Sequence, residues 1–157
     1  MNARVNLAES PIVRQLSKSF GGVVKAISDS GLPRAVQELV MIRASQINGC
    51  GFCVDMHTKD AVAEGETDQR LHLVAAWREA TVFTDAERAA LELTEQGTRI
   101  ADAAGGVPDA VWANAAKHYE GDRLFALVSL IALINAANRT NVITQQPAGS
   151  YRVGQFS

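Results

Sequence analysis

Apolar positions recur three and four residues apart along most of the chain, and no stretch of β-branched alternation is long enough to argue for a sheet. Ile12, Leu16, Phe20, Val23 and Val24 follow Ser10-Pro11, a pair that reads as a helix cap with proline at the first helical position. Gly21-Gly22 is expected to weaken or kink this helix, and Gly31-Leu-Pro33 to end it. Pro33 restarts a helix to about residue 47. It is apolar on more than one side through Val36, Leu39, Val40, Met41 and Ile42, the mark of a buried helix. Asn48-Gly49 is a turn signal, after which a helix runs from about residue 50 to residue 63 and stops at Glu64-Gly65. Thr67 or Asp68 caps a short helix through Trp77. Thr84, with Glu87 three residues on, forms a capping-box pattern ahead of the Ala-, Leu- and Glu-rich stretch 86–104. Pro108 or Asp109 starts a helix carrying Val111, Trp112 and Ala115, and Asp122 caps a last long helix to about residue 141.

The reading is an all-α fold of six or seven helices, one domain over 1–157. Residues 1–10 and 145–157 are terminal extensions, and the tail from Gln145 is expected to be extended or mobile. The last helix is apolar on nearly every side: Leu124, Phe125, Leu127, Val128, Leu130, Ile131, Leu133 and Ile134. Such a helix is either internal or completed by a neighbouring subunit, and an oligomer is expected.

Composition narrows the functional classes. The chain is 157 residues long, 47% hydrophobic and 20% charged, enough to bury a core. A net charge of −2 leaves no electrostatic footprint for nucleic acid. Scattered Lys and Arg give no polybasic membrane anchor. The longest apolar run, 124–137, is interrupted by Ser129 and Asn135 and falls short of the roughly 20 residues of a bilayer span. Residues 1–9 lack the apolar core of a secretion signal. A cytoplasmic location follows as the default, with neither nucleic acid nor membrane as partner. There, paired cysteines are more often catalytic or metal-binding than a structural staple.

Both cysteines fall in one stretch, 38–57, with His57. On a helix, Cys50, Cys53 and His57 are spaced i, i+3 and i+7 and share one face. A thiol reacts as its thiolate, with an ordinary pKa of about 8.5 that falls near a helix N-terminus, where unpaired N–H groups favour negative charge. His57, one turn beyond Cys53, can take the thiol proton or stabilise the thiolate. Glu38 precedes the turn by about 15 Å and His57 follows it by about 12 Å, so a helical hairpin would set them opposite one another. Burial among Val36, Leu39, Val40 and Ile42 is expected to raise the Glu38 pKa, which suits proton exchange with His57.

Competing readings use the same residues. Cys50, Cys53 and His57, with Glu38 or His72, offer a zinc ligand set, although structural zinc sites more often use two ligand clusters apart in sequence. The cysteine pair can also be structural, and Glu38 can be the ion-pair partner of Arg34 or Arg43. Elsewhere structure is expected. Trp77 and Trp112 read as core or interface residues, His72 as a hydrogen-bonded structural histidine and His118 as solvent-facing. Arg4, Arg78, Arg88 and Arg123 read as solvated or paired surface charges.

The pattern Glu38-x11-Cys50-x-x-Cys53-x3-His57 resembles the core of the alkylhydroperoxidase D-like proteins, within the carboxymuconolactone decarboxylase-like superfamily. Ser45, Asn48, Phe52, Trp77, the segment from Thr84 and Ile134-Asn-Ala-Ala-Asn138-Arg139-x-x-Val142 fit as well, so the resemblance covers roughly residues 12–148. It implies an all-helical homo-oligomer, trimer or hexamer, and a thiol peroxidase that needs no prosthetic group or metal. It also implies roles: Cys53 peroxidatic, Cys50 resolving through a Cys50–Cys53 disulfide, and Glu38 with His57 as a proton relay. The implied partners are a small-molecule peroxide and a lipoyl or thioredoxin-like reductant. One position departs: alkylhydroperoxidase D has a relay histidine just before the second cysteine, where this chain has Phe52, which implies a shorter relay, a lower activity or a different physiological reaction. Beside peroxide reduction stand thiol–disulfide exchange or redox sensing, and a non-redox lyase activity, which the cysteine pair argues against.

Overall fold

The computed structural model of the chain describes residues 2–155. Among them are seven α-helices and no strand. Helix α1 (Pro11–Asp29) is capped by Ser10, whose Oγ accepts the Val13 N–H, and it passes through Gly21-Gly22 unbroken. Its buried residue is Ile27. Ile12, Leu16, Phe20, Val23 and Val24 face outward, so its apolar stripe is not core.

Helix α2 (Arg34–Asn48) is the centre of the molecule, packing against α3 (Gly51–Ala63), α5 (Asp85–Thr98) and α7 (Asp122–Ile143). It divides the core in two. Val36, Val40, Met41 and Ala44 join Leu93, Leu127, Leu130 and Ile134 on one side. Leu39 and Ile42 join Leu71, Val74, Trp77, Phe83 and Leu91 on the other. A helix serving two apolar clusters must be apolar on two sides, which accounts for the pattern in its sequence. Truncating a side chain such as Ile42, fully buried here, to alanine costs about 2–5 kcal/mol.

Gly49 ends α2 in the left-handed region, φ 68°, where glycine carries no steric penalty, and Cys50 N–H returns to Ser45 O at 2.9 Å. The reversal makes α2 and α3 an antiparallel hairpin. Helix α4 (Asp68–Leu73), capped by Thr67, is followed by a 3-10 turn, Val74–Ala76. Both halves of the Thr84–Glu87 capping box are formed on α5, which ends at Thr98, before residue 104. Helix α6 (Asp109–His118) leads to α7.

The apolar run 124–137 falls short of a bilayer span, but the whole 22-residue helix α7 is long and apolar enough to cross one by length and composition alone, a test that core helices also pass. Ala126, Leu127, Leu130, Ile131 and Ile134 are buried on its inner side, whereas Phe125 is 73% exposed. The tail differs from its expected looseness. Gly149 N–H donates to Asp55 Oδ2 at 2.9 Å, Tyr151 O–H to Asp60 Oδ1 at 2.8 Å, and Lys59 Nζ to Tyr151 O at 3.0 Å. Tyr151 is buried, and these bonds hold the tail on α3. The N-terminal extension is tied too, through Arg4 N–H to Thr144 O at 2.9 Å. Residues 1, 156 and 157 of the expected extensions lie outside the described residues.

Candidate functional site

The hairpin brings the two cysteines to the start of α3. Cys50 is the N-cap, and its Sγ accepts the Cys53 N–H at 3.3 Å. Cys53 follows in the first turn, so both sulfurs lie where unpaired backbone N–H groups favour negative charge. The pair is at disulfide distance, with Cα atoms 5.4 Å apart. Both residues are buried, yet Cys50 lines a cleft of about 540 Å³ with Gly49, Phe52, Asn141, Gln146 and Ala148. Its lining carries no charged side chain. The tail forms one wall: Ala148 Cβ lies 3.5 Å from where a Cβ on Gly51 would sit.

His57 is one turn beyond Cys53. Its hydrogen bond is with Glu38: Nδ1 lies 3.1 Å from Oε2 across the α2–α3 hairpin. Both are buried, Glu38 at 2% exposure. A carboxylate accepts the Nδ1–H, which leaves Nε2 unprotonated in the neutral ring. The other oxygen, Oε1, lies 2.6 Å from Arg34 Nη2 as an ion pair without an aligned hydrogen bond. Glu38 and Arg34 also line a second cleft of about 300 Å³ with Glu64, Arg70 and Glu87, and no lining residue is shared with the cleft at Cys50. Of the two arginines weighed from sequence, Arg34 is therefore the partner of Glu38. Arg43 instead pairs with Glu95, Nη2 to Oε1 at 2.6 Å.

A third element enters from α7. Asn48 Nδ2 donates to Asn138 Oδ1 at 2.9 Å and to Asn135 Oδ1 at 3.0 Å, and Asn138 Nδ2 donates to Ser45 Oγ at 3.0 Å. Asn138 and Ser45 are fully buried. One turn further, Asn141 Nδ2 donates to Cys53 Sγ at 3.3 Å. Sequence reasoning missed Asn141. The signal that finds it is the three-residue spacing Asn135, Asn138, Asn141, which puts three amides along one helix face.

On the outer side of α3, the Lys59 ammonium bonded to Asp55 holds that carboxyl below its ordinary range, against the opposing pull of burial. Burial, then the bond to Asp60, pushes the Tyr151 hydroxyl up. His72 lies exposed on α4, and Trp112 is 47% exposed. His118 is exposed and Trp77 buried, as expected. Among the described residues no group of three or more His, Cys, Asp or Glu side chains forms a metal-binding cluster.

The chain matches the model of the carboxymuconolactone decarboxylase family over residues 13–96. It is 38% identical over 150 residues to the uncharacterized protein YdfG of Bacillus subtilis, covering 96% of this chain and 99% of that protein. The crystal structure of ATU0492 from Agrobacterium tumefaciens, a protein of unknown function, superposes with a TM-score of 0.85 at 32% identity, covering 96% of this chain and all of that one. Alkyl hydroperoxide reductase AhpD of Methylocella silvestris is 36% identical over 66 residues, 41% of this chain and 35% of that protein.

Proposed function

The chain belongs to the carboxymuconolactone decarboxylase family, as an alkylhydroperoxidase D-like protein, and we propose that it is a thiol-dependent peroxidase using Cys50 and Cys53. The observation that carries this reading is the His57–Glu38 contact at 3.1 Å, set one turn from a cysteine pair at disulfide distance. Such pairing supplies a base of defined tautomer beside a thiol that must lose its proton to react.

In this reading His57 Nε2 takes the Cys53 proton, and Glu38 fixes the ring and balances the imidazolium. The Cys53 thiolate attacks the peroxide ROOH. An S–O bond forms as the O–O bond breaks, and the departing RO⁻ takes its proton from His57 to leave as ROH. Cys53 is then a sulfenic acid. The Cys50 thiol, deprotonated at the helix cap, attacks Cys53 Sγ and expels hydroxide, which leaves as water after protonation. A dithiol donor of lipoyl or thioredoxin type then exchanges with the disulfide, becoming oxidised as both thiols are restored. The uncharged cleft at Cys50 favours a neutral hydroperoxide, and the outward apolar stripe of α1 supports assembly into a trimer or hexamer, which sedimentation measures directly.

Steady-state peroxide consumption with a dithiol donor tests the reading. Cys53→Ser should abolish it. Cys50→Ser should permit one oxidation per subunit and then stop. Unchanged turnover in Cys53→Ser contradicts it. A second reading, thiol–disulfide exchange without peroxide turnover, draws on the place of Cys50 in the cleft wall. It predicts disulfide transfer to and from a dithiol at normal rates, with no response to peroxide.

A further inference from the structure

Besides Cys50 itself, the side chain of Asn141 joins Cys53 Sγ to the cleft at Cys50. Its amide Nδ2 lies 3.3 Å from the sulfur, and the residue lines the cleft wall beside Cys50 and Phe52. The placement is held from below. Asn138, one turn earlier on the same face of α7, is fully buried and bonded to both Ser45 and Asn48 on α2, so α7 cannot slide relative to the hairpin without breaking buried amide bonds. Asn135 repeats the arrangement one turn lower through Asn48 and Thr98. Two rungs of this ladder bond to oxygen acceptors, and the third ends on sulfur.

A disulfide sulfur is a weak acceptor, whereas a thiolate carries a full charge and takes a hydrogen bond roughly twice as strong. The Asn141 bond therefore favours the reduced, ionised state over the oxidised one. His57 makes its hydrogen bond with Glu38 and not with a sulfur. Asn141 is thus the side chain that donates directly to Cys53 Sγ.

We propose that Asn141 is a further catalytic residue, whose amide N–H holds the Cys53 sulfur as a thiolate behind the cleft at Cys50. The proposal rests on Cys53 as the reactive thiol, and deepens that reading by adding a donor on the reacting atom itself. Two consequences follow. Loss of the donor should cost about tenfold in the thiolate population of Cys53 at a given pH. Because the bond favours the dithiol, its loss should make the disulfide about tenfold harder to reduce, equal to about 30 mV for this two-electron couple.

The test is titration of the thiolate by its ultraviolet absorbance in full-length protein carrying Cys50→Ser, so that Cys53 alone reports. Asn141→Ala should raise the midpoint by about one pH unit. Asn141→Asp, which substitutes a repelling charge, should raise it further. Asn141→Ser, which retains a donor, should recover part of the shift. An unshifted midpoint in Asn141→Ala, or an equal shift in the Ala and Ser variants, overturns the proposal, the second because packing and not donation would then be responsible. Far-ultraviolet circular dichroism confirms that each variant compared is folded, and alkylation rates of Cys53 against pH give the same midpoint by a second route. No peroxide is present, so failure of peroxidase turnover would leave this result standing, and an unshifted midpoint would remove Asn141 alone.

Discussion

His57 Nδ1 and Glu38 Oε2 meet at 3.1 Å across a helical hairpin, joining the middle of α3 to the first half of α2. Glu38 lies ten residues before the end of α2, so the contact exists only because Gly49 reverses the chain at positive φ. The pairing predicts unequal costs on kcat/KM. His57→Ala removes the proton acceptor and should cost about 10² to 10⁴. Glu38→Gln keeps the shape but not the charge that fixes the ring, and should cost at least about tenfold. Steady-state peroxide consumption by the two variants checks both, and equal costs in Glu38→Gln and His57→Ala would contradict the separate roles.

Asn138 carries the tie between α7 and the hairpin. Replacing it with alanine leaves the buried Ser45 hydroxyl without the N–H it accepts and removes one of the two acceptors of the Asn48 amide N–H. The expected loss is about 2–3 kcal/mol, since each buried polar group left unsatisfied costs about 1–3 kcal/mol. Urea unfolding reads it as a lower midpoint at constant slope. An unchanged midpoint would mean that the amide ladder adds nothing to stability.

Acid should destabilise the protein through two buried carboxylates. Burial alone would raise the Glu95 carboxyl, but bonds from Arg78, Trp77 and Arg43 outweigh it and hold it below its ordinary value of 4.5. Glu87 behaves alike, with burial opposed by Arg70 and the Thr84 N–H. Both folded values are depressed. Their stabilisation is therefore complete above the unfolded value of 4.5 and is lost as pH falls from there through the folded values. Glu95→Gln should lower stability at neutral pH by about 3 kcal/mol and flatten the acid decline. Thermal midpoints across pH should converge toward the acid end, and parallel curves would contradict the assignment.

The tail is held by side chains far from it in sequence. Tyr151→Phe removes the bond to Asp60, 91 residues away, and should cost about 1 kcal/mol. Hydrogen exchange should quicken at residues 149–152 while α2 stays protected. Uniform protection in the variant would show that the tail does not depend on this bond.

What was legible in the sequence was local or periodic. Pro11, Asn48-Gly49 and the Thr84–Glu87 box mark helix ends through bonds within a few residues, and each lies at an observed boundary. The Glu38–His57 meeting was legible because two helix lengths and one turn determine it. The outward stripe of α1 was not, since periodicity reports that a face is apolar and not what covers it. Nor were the anchored tail and Asn141, whose partners Asp60 and Cys53 are fixed by the packing of distant helices. The α5 helix stopped early because Gly105-Gly106 is preceded by turns at 99–104, a stretch whose composition alone suits a helix.

The central claim is that Cys53 is the nucleophile, and trapping its sulfenic acid tests it most directly. Reduced protein carrying Cys50→Ser is treated with one equivalent of an organic hydroperoxide in the presence of dimedone, and the adduct is located by peptide mass spectrometry. The account predicts a dimedone adduct on Cys53 in near-stoichiometric yield, and little or none on Cys50 in the matching Cys53→Ser protein. An adduct on Cys50 with none on Cys53, or none on either thiol, would contradict it.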